Sequence, residues 1–196
     1  MKKVNITVGR FQPFTKGHKK MVELMYSENG LPSVVFYIEN NNKDSRHPFS
    51  GGTVKETIES SLPSNLMEAC FSVKSADIVR IGEILHEHGY EAALLGCGSD
   101  RENAYKKQTE NEKYRNAGHF TDNFKLFSIK RNDKSNNVDG VSATKARDAV
   151  KSGEYGRFCS MTAIEDNAKS KALFNKMKEE INSVVLQCTD ATKHNL

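Results

Sequence analysis

Residues Val34 to Ile38 form an unbroken apolar run, Val-Val-Phe-Tyr-Ile, with no alternate polar position to turn toward water. A run this short reads as a strand covered on both faces, the kind found inside a parallel sheet with helices on either side. The flanking segments fit that arrangement. Val4, Ile6 and Val8 alternate with Asn5 and Thr7 and stop at Gly9, and Pro13 lies in the loop that follows. Thr15 is a good N-cap for a helix starting at Lys16, where Met21, Val22, Leu24 and Met25 recur at helical spacing. After a polar loop from Asn40 to Pro48, helical patterns cover Thr53 to Leu62 and Asp77 to His88. The second carries Ile78, Ile81, Ile84 and Leu85 on one face and stops at Gly89.

Ala92 to Leu95 predicts another short buried strand running into Gly96-Cys97-Gly98-Ser99-Asp100-Arg101, and Phe124 to Arg131 a further one. Ser142 opens a helix with Ala146, Ala149 and Val150 inward, ending near Gly153. A final helix spans Ile164 to Val185, with Ala168, Ala172, Phe174, Met177, Ile181 and Val184 as its apolar positions. The alternation predicts an α/β fold, a doubly wound, Rossmann-like parallel sheet with a C-terminal helical segment. Residues 1–158 form the main domain, 159–188 a helical segment packed on it, and 189–196 a flexible tail. In such sheets ligands bind at the carboxyl ends of the strands where the winding reverses, which brings Gly9, Gly98 and the loop before Val141 together.

A chain of 196 residues fits one main core, and its net charge of +4 is spread along the sequence. That balance suits a phosphate-bearing small ligand. The basic run from Arg101 to Arg115 is interrupted by Glu102, Glu110 and Glu112, so it reads as a solvated helix face and no nucleic-acid partner is expected. Cys70, Cys97, Cys159 and Cys188 lie far apart with no Cys-x-x-Cys pair, which predicts reduced thiols and no structural zinc. His86 and His88, two apart on a helix, face different directions and are expected in solvent. No long apolar stretch suggests a leader or a membrane span, so a cytoplasmic protein without a membrane partner is expected.

The segment Gly9 to His18, GRFQPFTKGH, has the ingredients of a phosphate site. Gly9 and Gly17 permit close backbone approach, the free amides at a helix start favour an anion, Arg10 offers a fork of donors, and His18 adds a ring N–H near the third helical position. The same residues are equally compatible with an ordinary strand-to-helix turn carrying a surface histidine.

The segment resembles the H/T-x-G-H signature of the nucleotidylyltransferase superfamily, and GRFQPF is similar to the form found in archaeal-type nicotinamide mononucleotide adenylyltransferases. Ser45-Arg46-His47-Pro48-Phe49-Ser50-Gly51-Gly52 resembles that family's R-x-P-F-T-x-G loop, and Val141 to Arg147 resembles its I-S-x-T-x-[IV]-R motif. The resemblance covers about residues 4 to 158. It implies transfer of an adenylyl group from ATP, as the magnesium complex, to a phosphorylated acceptor with release of pyrophosphate, nicotinamide mononucleotide to NAD first among the reactions. Phosphopantetheine, a cytidylyl transfer, and a nucleotide-binding module whose chemistry has lapsed are the alternatives. Under the resemblance, His18, Thr15 and Arg147 are catalytic. Gly9, Arg10, Phe11, Gly17, His18, Gly98, Asp100, Ser142, Thr144 and Arg147 bind the nucleotide, and Arg46 and Phe49 bind the acceptor. Magnesium is held mainly by the triphosphate, with no protein metal site, and a homo-oligomer is compatible with the family. Two departures stand out. Thr15 replaces the first histidine of H-x-G-H, and Thr53-Val54-Lys55 follows Gly52 where the family has Glu-Arg. The chain also has no tryptophan to stack on a nicotinamide ring, leaving Phe11, Phe14, Tyr37 and Phe49 as substitutes.

Overall fold

The central strand β1 (Lys2–Gly9) is hydrogen-bonded in parallel on both sides, to β2 (Ser33–Ile38) and to β4 (Tyr90–Gly98). The computed structural model describes residues 1–39, 42–120, 123–129 and 142–193. Strand β3 (Met67–Val73) lies outside β2 and β5 (Lys125–Ile129) outside β4, giving a five-stranded order β3-β2-β1-β4-β5. From β1 the chain winds outward through α1 (Lys16–Asn29), β2 and α2 (Gly51–Ser61) to β3, then crosses back through α3 (Ile78–Glu87) to β4. The winding therefore reverses between β1 and β4, where Val8 lies opposite Phe36 on one side and Thr7 opposite Gly96 on the other.

Helices cover both faces of the sheet. On one face Val35 and Tyr37 pack with Met25 of α1, Ile58 of α2 and residues of three later helices, α6 (Ala143–Lys151), α7 (Tyr155–Thr162) and α8 (Ala168–Lys193). On the other, Val34 and Phe36 pack with Ile81 and Leu85 of α3, with Leu95, and with Tyr105 of α4 (Glu102–Thr109). Val34, Val35 and Phe36 are fully buried, as an all-apolar strand requires. Among the described residues no helix is long and apolar enough to cross a membrane.

The structure adds and moves several elements. Strand β3 is absent from the sequence reading although Met67, Ala69, Phe71 and Val73 alternate with Glu68, Cys70 and Ser72, and as an edge strand it is mostly half-buried. Strand β4 is longer than Ala92 to Leu95 and includes Gly96, Cys97 and Gly98 within the ladder. The charged run divides at Asn111, which caps a separate helix, α5 (Glu112–Ala117). Helix α7 is additional, and α8 starts at Ala168 and continues to Lys193, beyond the expected limit at Val185. Its buried face uses Leu173, Phe174, Met177, Ile181 and Val184, while Ala168 and Ala172 are exposed. The ends of the last expected strand (Lys130 and Arg131), Val141 and residues 194–196 lie outside the described residues. Cys70, Cys97 and Cys159 carry free thiols.

Helix α3 packs closely against the end of α5, because a side chain on Gly82 would collide with the carbonyl of Gly118. Gly82→Ala should therefore destabilise the protein by about 1–3 kcal/mol despite a helix-propensity gain of roughly 1 kcal/mol, read from the midpoint of urea unfolding.

Candidate active site at the reversal of the sheet

Thr15 caps α1, and His18, at the third helical position, folds back over it. The Thr15 backbone N–H donates to His18 Nδ1 at 3.0 Å, and the Thr15 hydroxyl lies 3.1 Å from the same nitrogen. A backbone N–H can only donate, so Nδ1 is an acceptor and the neutral ring carries its proton on Nε2. The ring is steadied by Phe11, edge-on at 4.9 Å between centroids, and by Phe14 at 5.2 Å. Phe11 itself has a φ of 45° and is buried, a strained conformation for a bulky residue. Its ring lies on Gly9, where a Cβ would come within 2.9 Å of it. Gly9 thus makes room for the chain's own Phe11 rather than for an approaching ligand.

Gln12 fastens this loop to the rest of the site. Its side-chain amide donates to the Phe49 carbonyl and accepts from the Phe49 N–H, both at 3.0 Å, and only 5% of the residue is exposed. Its backbone carbonyl accepts from Arg147 at 2.7 Å. Arg147 also donates to Thr144 Oγ1 at 3.1 Å, and burial pulls its guanidinium below the usual arginine range. One glutamine therefore joins the first-strand loop, the loop before α2 and the first turn of α6.

The loop before α2 is held by two carboxylates. Asp44 accepts the backbone N–H groups of Arg46 and His47, each at 2.7 Å. Glu180, projecting from α8, accepts from the Ser50 N–H at 2.9 Å, the Ser50 hydroxyl at 2.7 Å and the Thr53 hydroxyl at 3.1 Å. The N-terminus of α2, which would attract an anion, is thus occupied by the protein's own carboxylate.

Between these loops lies a cleft of about 820 Å³ at the carboxyl ends of the strands. It receives Gly9, Arg10, Phe11 and His18 from the first motif, Arg46 from the second, and Thr144 and Arg147 from the third. Gly98 and the exposed Asp100 line it from the end of β4. Its lining cations are Arg10, Arg46, Lys74, Arg101, Arg147 and Lys151, against the carboxylates Asp100 and Asp148. Such an excess of positive charge favours a polyanion.

Not every expected residue faces the cleft. Phe49 is 1% exposed in the core, so its ring is placed for packing and only its backbone serves the site. Phe14 and Tyr37 are likewise core residues. Thr15 is buried beneath His18, Gly17 sits in the first turn of α1, and Ser142 caps α6 by accepting from the Lys145 N–H at 3.2 Å. His86 is exposed, as expected, and stacks on the equally exposed His119 with centroids 4.2 Å apart. Lys74 and Tyr105 enter the cleft unforeseen, the first because it follows the unrecognised strand β3. Burial pushes the Tyr105 hydroxyl up to about 12, so it stays protonated and able to donate. Gln12 was visible as a polar residue amid apolar ones, but its pairing with Phe49 is a long-range contact that no local pattern encodes.

A family model described as cytidylyltransferase-like matches residues 6–149, most of the chain. The chain belongs to the cytidylyltransferase-like family. This family lies within the nucleotidylyltransferase superfamily, and the matched residues include the whole first motif and Thr144 and Arg147 of α6. No curated protein matches the chain by sequence. Among solved structures, a bifunctional NMN adenylyltransferase/ADP ribose pyrophosphatase from Francisella tularensis, complexed with AMP and a manganese ion, superimposes with a TM-score of 0.63 at 16% identity. That match covers all of this chain but 55% of the other, so this cytidylyltransferase-like protein spans about half the length of that relative. A nicotinic acid mononucleotide adenylyltransferase from Plasmodium falciparum gives a TM-score of 0.54 at 16% identity, covering 92% of this chain and 98% of that one. At these identities the likeness establishes the shared fold.

Gln12→Ala would leave the buried Phe49 backbone groups without partners and should cost about 1–3 kcal/mol. Urea unfolding of the variant is the measurement, and unchanged stability would show that the amide pair contributes nothing.

Proposed function

We propose that this protein is an adenylyltransferase that joins the α-phosphate of ATP to a phosphate monoester, most directly nicotinamide mononucleotide to give NAD, and releases pyrophosphate. The observation that carries this reading is His18, whose Nδ1 is engaged by the Thr15 N–H at 3.0 Å in a cleft whose charged lining is mostly cationic. The neutral ring then carries its proton on Nε2, and on this scheme that N–H donates to an oxygen of the α-phosphate as charge accumulates there. A phosphate oxygen of the acceptor attacks the α-phosphorus in line, the bond to the β-phosphate oxygen breaks, and no covalent enzyme intermediate is required. Catalysis on this scheme is positioning plus charge stabilisation.

On this reading Arg10, Thr144 and Arg147 would hold the β- and γ-phosphates, with Ser142 and Gly17 contributing at their helix starts. Arg147 is already anchored by Gln12 and Thr144, so it would enter the reaction pre-oriented. Gly98 and Asp100 border the ribose and base, and Arg46 takes the acceptor's phosphate. The Ser50 cap of α2 already carries the protein's own Glu180 carboxylate. Magnesium would screen the triphosphate charge. The ion would be held mainly by the triphosphate, with Asp100 and Asp148 as the carboxylates that line the cleft. The nicotinamide and nicotinic acid nucleotide enzymes among the structural relatives support the choice of acceptor.

Incubation with magnesium, ATP or CTP and a panel of acceptors, including nicotinamide mononucleotide, nicotinic acid mononucleotide and phosphopantetheine, should yield pyrophosphate and one dinucleotide-type product identifiable by mass. His18→Ala should lower the rate by about 10²–10³ with the fold intact. Undiminished turnover in that variant would remove His18 from the mechanism. Nucleotide binding without turnover on any acceptor would instead make the protein a binding module.

A further inference from the structure

Arg10 NH1 lies 2.9 Å from His47 Nε2, a contact between loops that are 37 residues apart in sequence. A guanidinium has donors and no acceptor, so Nε2 must be the acceptor and the His47 proton must sit on Nδ1. That nitrogen is 3.1 Å from Asp44 Oδ2. The pattern is therefore directional, with Arg10 donating to His47 and His47 donating to Asp44. Asp44 is fixed in turn by the backbone N–H groups of Arg46 and His47, and the hydrogen bond from His47 is the main reason its carboxyl is held below the usual range. The His47 side chain is only 14% exposed although it stands on a loop and borders the cleft.

We propose that His47 is a positioning residue: backed by Asp44, it holds the otherwise exposed guanidinium of Arg10 at the mouth of the cleft so that the remaining donors meet the nucleotide's phosphates. The proposal rests on the nucleotide-binding part of the function above. Arginine loses considerable rotamer freedom when it grips a phosphate, and a partner that fixes it beforehand removes part of that loss from binding. The same Asp44 carboxylate orients the backbone at Arg46. One side-chain chain thus links the arginine assigned to the nucleotide with the one assigned to the acceptor.

The tautomer is testable without ligand. Long-range proton–nitrogen correlation spectra of the full chain should show His47 protonated on Nδ1 and His18 on Nε2, opposite forms in one site. Calorimetric titration with the α,β-methylene analogue of ATP and magnesium then reads binding independently of turnover. His47→Ala should weaken binding about tenfold, the factor equivalent to about 1.4 kcal/mol. His47→Gln, whose amide oxygen can stand in for Nε2 as acceptor, should restore most of it. In an Arg10→Ala background, replacing His47 should change nothing further, since His47 acts through Arg10. Full affinity in His47→Ala, an equal loss in the Arg10→Ala background, or an Nε2–H tautomer at His47 would each overturn the proposal alone. A wild-type protein that binds no triphosphate would overturn the functional reading as well.

Discussion

The pairing of β1 with a parallel strand on each side is the constraint from which the site follows. A central strand in this position sends its chain out over one half of the sheet and must receive it back on the other, so the carboxyl ends of β1 and β4 open away from each other. The loop after β1 lies at that opening. Its neighbours are the loops that leave β2, β3 and β4, and each contributes side chains to the same cleft. Cleft-lining residues as far apart in sequence as Arg10 and Arg147 meet there because topology, rather than sequence proximity, sets their distance.

Within that opening, hydrogen bonds to backbone groups do most of the placing. Gln12 grips the Phe49 peptide on both sides and lends its own carbonyl to Arg147. Thr15 turns His18 through its N–H rather than through a charged partner. The first histidine of the H-x-G-H form is absent, yet the orienting bond remains, since any residue other than proline supplies an N–H. Threonine at this position therefore preserves the ring's tautomer.

Sheet and motif order were legible because they depend on local signals. The all-apolar Val34 to Ile38 strand, the Thr15 and Ser142 caps and the Gly89 and Gly153 stops each state a conformation over a few residues. Strand β3 was missed although Met67, Ala69, Phe71 and Val73 alternate with Glu68, Cys70 and Ser72, because the small Ala69 and Cys70 give that alternation little contrast in polarity. Phe49 misled for a related reason. A phenylalanine in a functional loop looks the same in sequence whether its ring meets a ligand or the core, and only tertiary packing decides. The hold of His47 on Arg10 and of Glu180 on Ser50 were illegible in principle, being contacts across 37 and 130 residues.

The reach of Glu180 has a consequence for the order in which the protein is completed. The carboxylate that holds the Ser50 cap of α2 belongs to α8, which follows every cleft-lining residue in the chain. Until α8 docks, that cap lacks its anionic partner beside a basic cleft. The sheet can form earlier, but the loop before α2 is fully fastened only when α8 is in place.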